Sequence, residues 1–203
     1  MIVKTGSFGN MGNNCYLIVD EKTNKSALID CTECSSKMLD FIGDTDLQCI
    51  LLTHGHFDHI IGVKEVKEKF SCKVAISKED EGMLNSARLS LAVFCGEPQN
   101  NVDADIILKD GDVLPLGDVD IKVISTPGHT KGSVCFIAEN YLFSGDTLFC
   151  CSCGRTDFPG GSVSEMMQSL HRIASLDGDF KVMPGHEETT TLNFERQNNP
   201  YMR

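Results

Sequence analysis

The chain has 203 residues, of which 41% are hydrophobic and 23% charged, a balance typical of a folded domain and not of a disordered chain. Lys and Arg number 18 against 29 Asp and Glu, so the formal net charge is −11 and nucleic-acid binding is not expected. No apolar run reaches the roughly 20 residues that span a membrane, and the N-terminus lacks a signal peptide's apolar segment. We therefore expect a single domain over residues 1–203, located in the cytoplasm, with its ten cysteines as thiols.

Short apolar runs bounded by Gly, Asn and Asp predict strands, and apolar residues with helical spacing predict helices between some of them. Because the strands come in runs that helices interrupt, the order predicts an α/β domain with mixed sheets. In chain order we expect strands at residues 15–19 and 26–29, a helix at 35–42, a strand at 49–52, a helix at 60–70, a strand at 73–76, short helices at 78–84 and 87–94, strands at 106–108, 119–124, 134–137 and 141–143, a helix opening at 162 and a strand at 180–183.

The helix that opens at residue 162 has the clearest start signal. Ser162 and Glu165 have the spacing of a capping box, in which each side chain bonds the other residue's backbone N–H. We expect its buried stripe to include Met167, Leu170 and Ile173.

Three of the six histidines lie within six residues. His54 and His56 are two apart, so in an extended loop both side chains point the same way and can reach one metal ion. Asp58 and His59 follow at the start of the predicted helix and can point to a neighbouring position. The cluster comes directly after the predicted strand at 49–52, and this density of donors is not that of an ordinary surface loop.

Three more donors follow predicted strands further along the chain. They are His129, Asp146 and His186, and a glycine directly precedes each one. Glycine lets the backbone turn sharply, so we expect these side chains to point inward. Nitrogen and oxygen donors of this kind suit zinc, or else iron or manganese.

The order His-x-His-x-Asp-His, then His, Asp and His, resembles the metallo-β-lactamase-fold hydrolase superfamily over nearly the whole chain. Residues 145–149, 154–161 and 184–186 resemble, within it, a short glyoxalase-II-like (hydroxyacylglutathione hydrolase-like) group. The resemblance implies an αββα sandwich of two mixed sheets flanked by helices, and two divalent metal ions. The implied ligands are His54, His56 and His129 for the first ion, Asp58, His59 and His186 for the second, and Asp146 between them.

The same resemblance implies hydrolysis of a small-molecule thioester by a hydroxide held between the two ions. Asp58 would orient that hydroxide, and a thiolate would leave with little need for a general acid. The C-terminal helical extension with which full-length glyoxalase II holds glutathione has no counterpart before Arg203, so the thiol carrier is left open. Arg155 and Lys131 are candidate anchors for a substrate carboxylate.

Two other functions stay open at this point. Residues 153–158 also resemble persulfide dioxygenases, which use a single iron; here His54, His129 and Asp146 or a close variant would hold it. A non-catalytic metal-binding scaffold is the third alternative, and the complete set of donors disfavours it.

Two further motifs carry less weight. Cys31 and Cys34 form a Cys-x-x-Cys without a partner motif, and we interpret them as incidental thiols, with a redox or metal role as the alternative. Residues 6–12 are rich in Gly and Asn, but a strand and not a helix follows them, so we predict a flexible hairpin and no phosphate site.

Overall fold

The computed structural model describes residues 1–202, so the last residue of the predicted domain, Arg203, lies outside the described part. Fourteen strands, six α-helices and a short 3₁₀ helix at Glu81–Asn85 make up this part of the chain. The strands are β1 (Ile2–Phe8), β2 (Asn13–Val19), β3 (Lys25–Ile29), β4 (Asp46–Leu51), β5 (Lys73–Ser77), β6 (Ile106–Leu108), β7 (Val113–Leu116), β8 (Val119–Ser125), β9 (Val134–Ala138), β10 (Tyr141–Gly145), β11 (Leu148–Phe149), β12 (Ser152–Cys153), β13 (Lys181–Pro184) and β14 (Thr190–Thr191). The helices are α1 (Ser36–Ile42), α2 (Phe57–Ile60), α3 (Val63–Phe70), α4 (Ala92–Cys95), α5 (Val163–Ala174) and α6 (Leu192–Asn198).

Twelve of the strands form two six-stranded sheets. The first sheet has the order β1-β2-β3-β4-β5-β6, and the second has the order β14-β13-β10-β9-β8-β7. Both sheets are mixed: β3, β4, β5 and β6 pair in parallel in the first, and β10 pairs in parallel with β13 in the second. The predicted α/β class with mixed sheets is confirmed.

Strand β2 shows how the layers arise from an alternating sequence. Its residues Cys15 and Leu17 join a core with α1 and α3 on the outer face of the first sheet. Tyr16 and Ile18 point the other way and join the core that contains Phe143 and other residues of the second sheet. A third core packs α5 and α6 against the outer face of the second sheet. The layers are therefore helix, sheet, sheet and helix, as the αββα prediction requires.

Several predicted elements differ from the structure. β1 is a strand at the edge of the first sheet, where most of its side chains stay exposed or half-buried and so lack the apolar pattern of a buried strand. The hairpin predicted at 6–12 is present, since the end of β1, a tight turn and the antiparallel start of β2 form it. The predicted helix at 60–70 is two helices divided at Gly62, where a Cβ would collide with the backbone of Glu33.

The predicted stripe of α5 was wrong by one residue at its start. Met166, and not the half-buried Met167, is buried together with Leu170 and Ile173. The reason is that the backbone of Met166 packs directly on Gly128, in the turn after β8. Among residues 1–202, no helix combines the length and the apolar character that crossing a membrane requires.

Candidate metal centre

The seven predicted donors lie at one edge of the sandwich, at the ends of four strands. Four of them follow β4, in the loop to α2 and in α2 itself. His129, Asp146 and His186 follow β8, β10 and β13 of the second sheet. Five of the seven are buried and two, Asp146 and His186, are half-buried. The structure thus brings together all the residues that the sequence indicated as metal donors.

The first group consists of His54, His56 and His129. One ring nitrogen of each lies within 4.8 Å of the other two. The Nδ1 of His56 and the Nε2 of His129 are 2.8 Å apart. The Nε2 of His54 is buried and has no hydrogen-bond partner among residues 1–202. Three imidazole nitrogens that converge in this way are the ligand set of a divalent transition metal.

Hydrogen bonds on the far side of these rings fix which nitrogen faces the group. The Nδ1 of His129 lies 2.7 Å from the carbonyl oxygen of Arg155, to which it can only donate, so its Nε2 lone pair points inward. The Nδ1 of His54 lies 3.1 Å from the hydroxyl of Thr53. That hydroxyl donates to Asp30, so it accepts from His54 and leaves the Nε2 of His54 unprotonated.

The second group consists of Asp58, His59 and His186. The Oδ2 of Asp58 lies 3.5 Å from the Nε2 of His59 and 3.3 Å from the Nε2 of His186. The side-chain amide of buried Asn13 donates to the same oxygen at 2.8 Å. On the far side, His59 donates from Nδ1 to the Oδ2 of Asp30 at 2.8 Å. The two groups are therefore tied to each other through Asp30.

Asp146 lies between the two groups. Its Oδ1 is 3.5 Å from the Nε2 of His59, and its Oδ2 is 3.6 Å from the Nε2 of His129. Its neighbour in space is Gly185, at which a Cβ would collide with the Oδ1 of Asp146. The Oδ2 of Asp146 is also 3.7 Å from the Nε2 of His186, so donors of both groups lie close to this carboxylate. That is the position a ligand shared by two ions needs.

Three buried polar atoms show that this donor set fits cations. The Nε2 atoms of His54 and His59 and the Oδ1 of Asp146 have no hydrogen-bond partner among residues 1–202. Leaving such an atom without a partner costs about 1–3 kcal/mol, so native proteins rarely do it without a reason. All three atoms point into the space between the groups, where a divalent ion on each side would satisfy them.

The protonation states of the donors also favour the binding of cations at this centre. Burial lowers the pKa of His54 well below its ordinary value and that of His56 to about 3, so both rings are neutral and able to bind a metal. Burial also acts to lower the pKa of His59, but the carboxylates of Asp58 and Asp146, with that of Asp30, outweigh it and raise this pKa to about 10. The three carboxylates therefore stabilise a positive charge next to His59, either on its ring or on a bound cation.

Two residues that hold the centre in place were not predicted. Asp30 follows β3 directly, the same position after a strand that identified Asp146, so this signal was present in the sequence. Asp80 lies far along the chain, and its buried carboxylate accepts hydrogen bonds from the backbone N–H of Gly55 and of Gly132 at 3.1 and 3.0 Å. It joins the loop of the first sheet to a loop of the second, which no short-range pattern reveals.

The two predicted substrate anchors lie in different surroundings. Arg155 lines a cavity that opens on the donors, and its guanidinium forms two 2.7 Å hydrogen bonds with Asp157. Lys131 is exposed and is not among the lining residues of that cavity. Cys31 is buried and Cys34 half-buried, and all ten cysteines are free of disulfides.

A family model described as the metallo-beta-lactamase superfamily matches residues 9–186. An uncharacterized protein of Aquifex aeolicus is 36% identical over 99% of this chain and 97% of its own length. The hydroxyacylglutathione hydrolase GloC of Haemophilus influenzae is 32% identical over 93% of this chain and 92% of its own.

Solved structures agree with these sequence matches. The B3 metallo-beta-lactamase BLEG-1 superposes with a TM-score of 0.93 at 31% identity, over 99% of both chains. TTHA1623, solved in a di-iron-bound form, gives 0.85 at 32% identity, over 98% of this chain and 99% of its own. ETHE1 from Myxococcus xanthus gives 0.81 at 29% identity, over 98% of this chain and 84% of its own.

Proposed function

The chain belongs to the metallo-beta-lactamase superfamily, and on this premise we propose that it is a metal-dependent hydrolase that cleaves a small-molecule thioester with two divalent metal ions. The observation that carries the proposal is the position of Asp146, whose carboxylate lies 3.5–3.7 Å from the Nε2 atoms of His59, His129 and His186, which are donors of both groups. Zinc is the ion that this donor set favours, with iron and manganese as alternatives. The proposed ligands are His54, His56 and His129 for one ion, Asp58, His59 and His186 for the other, and Asp146 for both.

When bound, the two ions supply Lewis acidity, which lowers the pKa of a water towards neutrality and offsets negative charge on a carbonyl oxygen. The chain's own residues place the reactants. Asp58, fixed by its hydrogen bond from Asn13, orients the attacking water. A thiolate leaves readily because a thiol has a pKa of about 8.5, so a general acid adds little.

The proposal also covers the substrate, the residues that contact it and the cellular compartment. The relative named hydroxyacylglutathione hydrolase supports a thioester as the substrate, since its name describes one. Arg155 and Lys131 are the proposed contacts to a substrate carboxylate, and Arg155 would have to exchange Asp157 for it. The ten free cysteines are consistent with a single domain that works in the reducing cytoplasm.

Replacement of the shared carboxylate tests this proposal. Asp146→Ala should remove most of both metal ions and abolish thioester hydrolysis, because each group of donors loses a ligand. Metal per chain by elemental analysis and thiol release from a thioester are the two measurements. Asp118→Ala, in an exposed ion pair with Lys22, is the matched control and should keep both. An Asp146→Ala protein with full metal and full rate would refute the bridging role.

The second candidate function is persulfide dioxygenation with one iron. The similarity to ETHE1 favours it, and His54, His129 and Asp146 would hold the iron. Against it, Asp58, His59 and His186 form a complete second group. The wild-type protein distinguishes the two: a single iron per chain with oxygen uptake on a persulfide would replace the thioesterase proposal, and two ions per chain with thiol release would exclude the dioxygenase.

A further inference from the structure

A cavity of about 920 Å³ opens directly on the metal donors. This volume lies at the upper end of the range, about 300–1,000 Å³, of pockets that hold drug-sized ligands. Beyond the donors themselves its wall is mostly aliphatic and aromatic. The apolar side chains that matter here are Met11, Phe57, Leu91, Phe94, Phe149 and Phe158.

The segment around α4 explains why this wall is apolar and accessible. α4 has only four residues, and both flanking residues, Leu91 and Gly96, adopt left-handed backbone conformations with φ of 70°. Leu91 and Ala92 are buried against Phe57. Phe94 is then left at the cavity with 71% of its surface exposed. Its exposed ring thus adds to the apolar and aromatic lining that is typical of ligand pockets.

The charges of the cavity wall disfavour an anionic ligand. Arg155 is the one Lys or Arg among the lining residues that the structure describes. Asp157 neutralises its guanidinium, which also lies over the ring of Phe158 at 3.9 Å. Glu187 adds a negative charge to the same wall. Outside the metal donors, the wall therefore offers a carboxylate or a phosphate only the guanidinium of Arg155, which is already paired with Asp157.

We propose that this cavity binds an apolar acyl group, so that the preferred substrate is the thioester of an aliphatic or aromatic acid larger than acetate. The inference rests on the proposed thioester hydrolysis and names its acyl specificity. Water adds to the acyl carbon, the C–S bond breaks with its electron pair leaving on sulfur, and the products are the carboxylate, the thiol and one proton. Phe94 is the proposed specificity-determining residue, since it offers apolar surface and touches no donor.

A series of acyl thioesters of one neutral thiol, N-acetylcysteamine, tests the proposal on the metal-loaded protein. From acetyl to butyryl to hexanoyl, kcat/KM should rise about fourfold for each methylene that leaves water, until the cavity is filled. Lactoylglutathione should be a poorer substrate than the hexanoyl thioester. A flat series, or a preference for lactoylglutathione, would overturn the inference and leave the thioesterase proposal standing.

A pair of matched variants locates the effect. Phe94→Ser should lower the hexanoyl-to-acetyl ratio of kcat/KM about tenfold. Phe194→Ser removes an equivalent ring, 45% exposed on α6 and outside the cavity, and should leave the ratio as in the wild type. An unchanged ratio in Phe94→Ser, or equal changes in both variants, would contradict the role of Phe94.

Binding of product carboxylates separates this inference from the proposed function. In calorimetric titrations hexanoate should bind at least about tenfold more tightly than acetate, and Phe94→Ser should reduce this difference. If hexanoate binds in this way but no thioester is cleaved, the apolar pocket stands and the thioesterase proposal fails. Equal affinities for the two acids would overturn the apolar pocket, whatever the rates.

Discussion

Replacing Asp30 by Asn should weaken both metal positions although no metal ligand is removed. The Oδ1 of Asp30 accepts from the backbone N–H of Thr53, and its Oδ2 accepts from the hydroxyl of Thr53 and from the Nδ1 of His59, all at 2.8 Å. In Asp30→Asn the amide oxygen stays at the backbone N–H, so the NH₂ group faces His59. The Nδ1 of His59 must then accept, which moves the ring proton to Nε2, the atom that faces the metal position. The Thr53 hydroxyl also loses its acceptor and turns to donate to the Nδ1 of His54, which moves the proton of that ring to Nε2 in the same way.

The magnitude follows from this change of tautomer. Substitution of a residue that orients a metal ligand typically costs 10–100-fold in metal affinity, or about 1.4–2.7 kcal/mol. Losing a hydrogen bond to a charged group costs about 1.5–3 kcal/mol, which is the same range. Asn tolerates the left-handed backbone that Asp30 adopts, with φ of 57°, so the variant should fold.

Zinc titration against a competing chelator measures the effect. The wild type should bind two ions per chain, and Asp30→Asn should bind both of them 10–100-fold more weakly, because Asp30 orients His59 directly and His54 through Thr53. Asp20→Asn is the matched control, because Asp20 is also buried and accepts from a threonine hydroxyl, that of Thr23, away from the metal centre. Two ions bound with wild-type affinity by Asp30→Asn would refute the orienting role of Asp30.

Two further predictions concern space and exposure. Gly185→Ala should lower the metal content, since a Cβ there would collide with the Oδ1 of Asp146. Gly82→Ala is the control, because a Cβ at Gly82 has room, and it should keep the metal. Elemental analysis measures the metal in both variants, and a fully loaded Gly185→Ala would contradict the packing. Ellman's reagent should label two thiols rapidly in the native protein, the exposed Cys95 and Cys151, and replacing both by Ser should remove the fast phase; a third fast thiol would contradict the structure.

The metal donors could be predicted from the sequence because each one is marked by its own neighbours. An apolar strand, a glycine and then His or Asp is a local pattern, and it identified His129, Asp146 and His186 one by one. The layers were predictable for the same reason, since alternation along a strand such as β2 is local. The resemblance to a known superfamily then supplied the division of the donors into two groups.

What the sequence could not provide depends on distances between elements. The contact of Asp30 with His59 depends on how β3 and the loop after β4 lie side by side. The break between α2 and α3 arises from the backbone of Glu33, which approaches Gly62 from another part of the chain. Exposure of Phe94 is a further example, because a predicted helix at 87–94 does not say that only its last turn forms or which rings it leaves in water.

The donors come from both halves of the chain, four from the loop after β4 of the first sheet and three from loops of the second, so the candidate metal centre forms only when the two sheets are packed together. Ions that bind only this packed state would stabilise the docking of the two sheets by mass action. On the proposed function, the free energy of metal binding is thus coupled to that of sheet docking. A substitution deep between the sheets, such as at Phe136, would then weaken metal binding without touching a ligand, and removal of the metal would lower the stability of the whole domain.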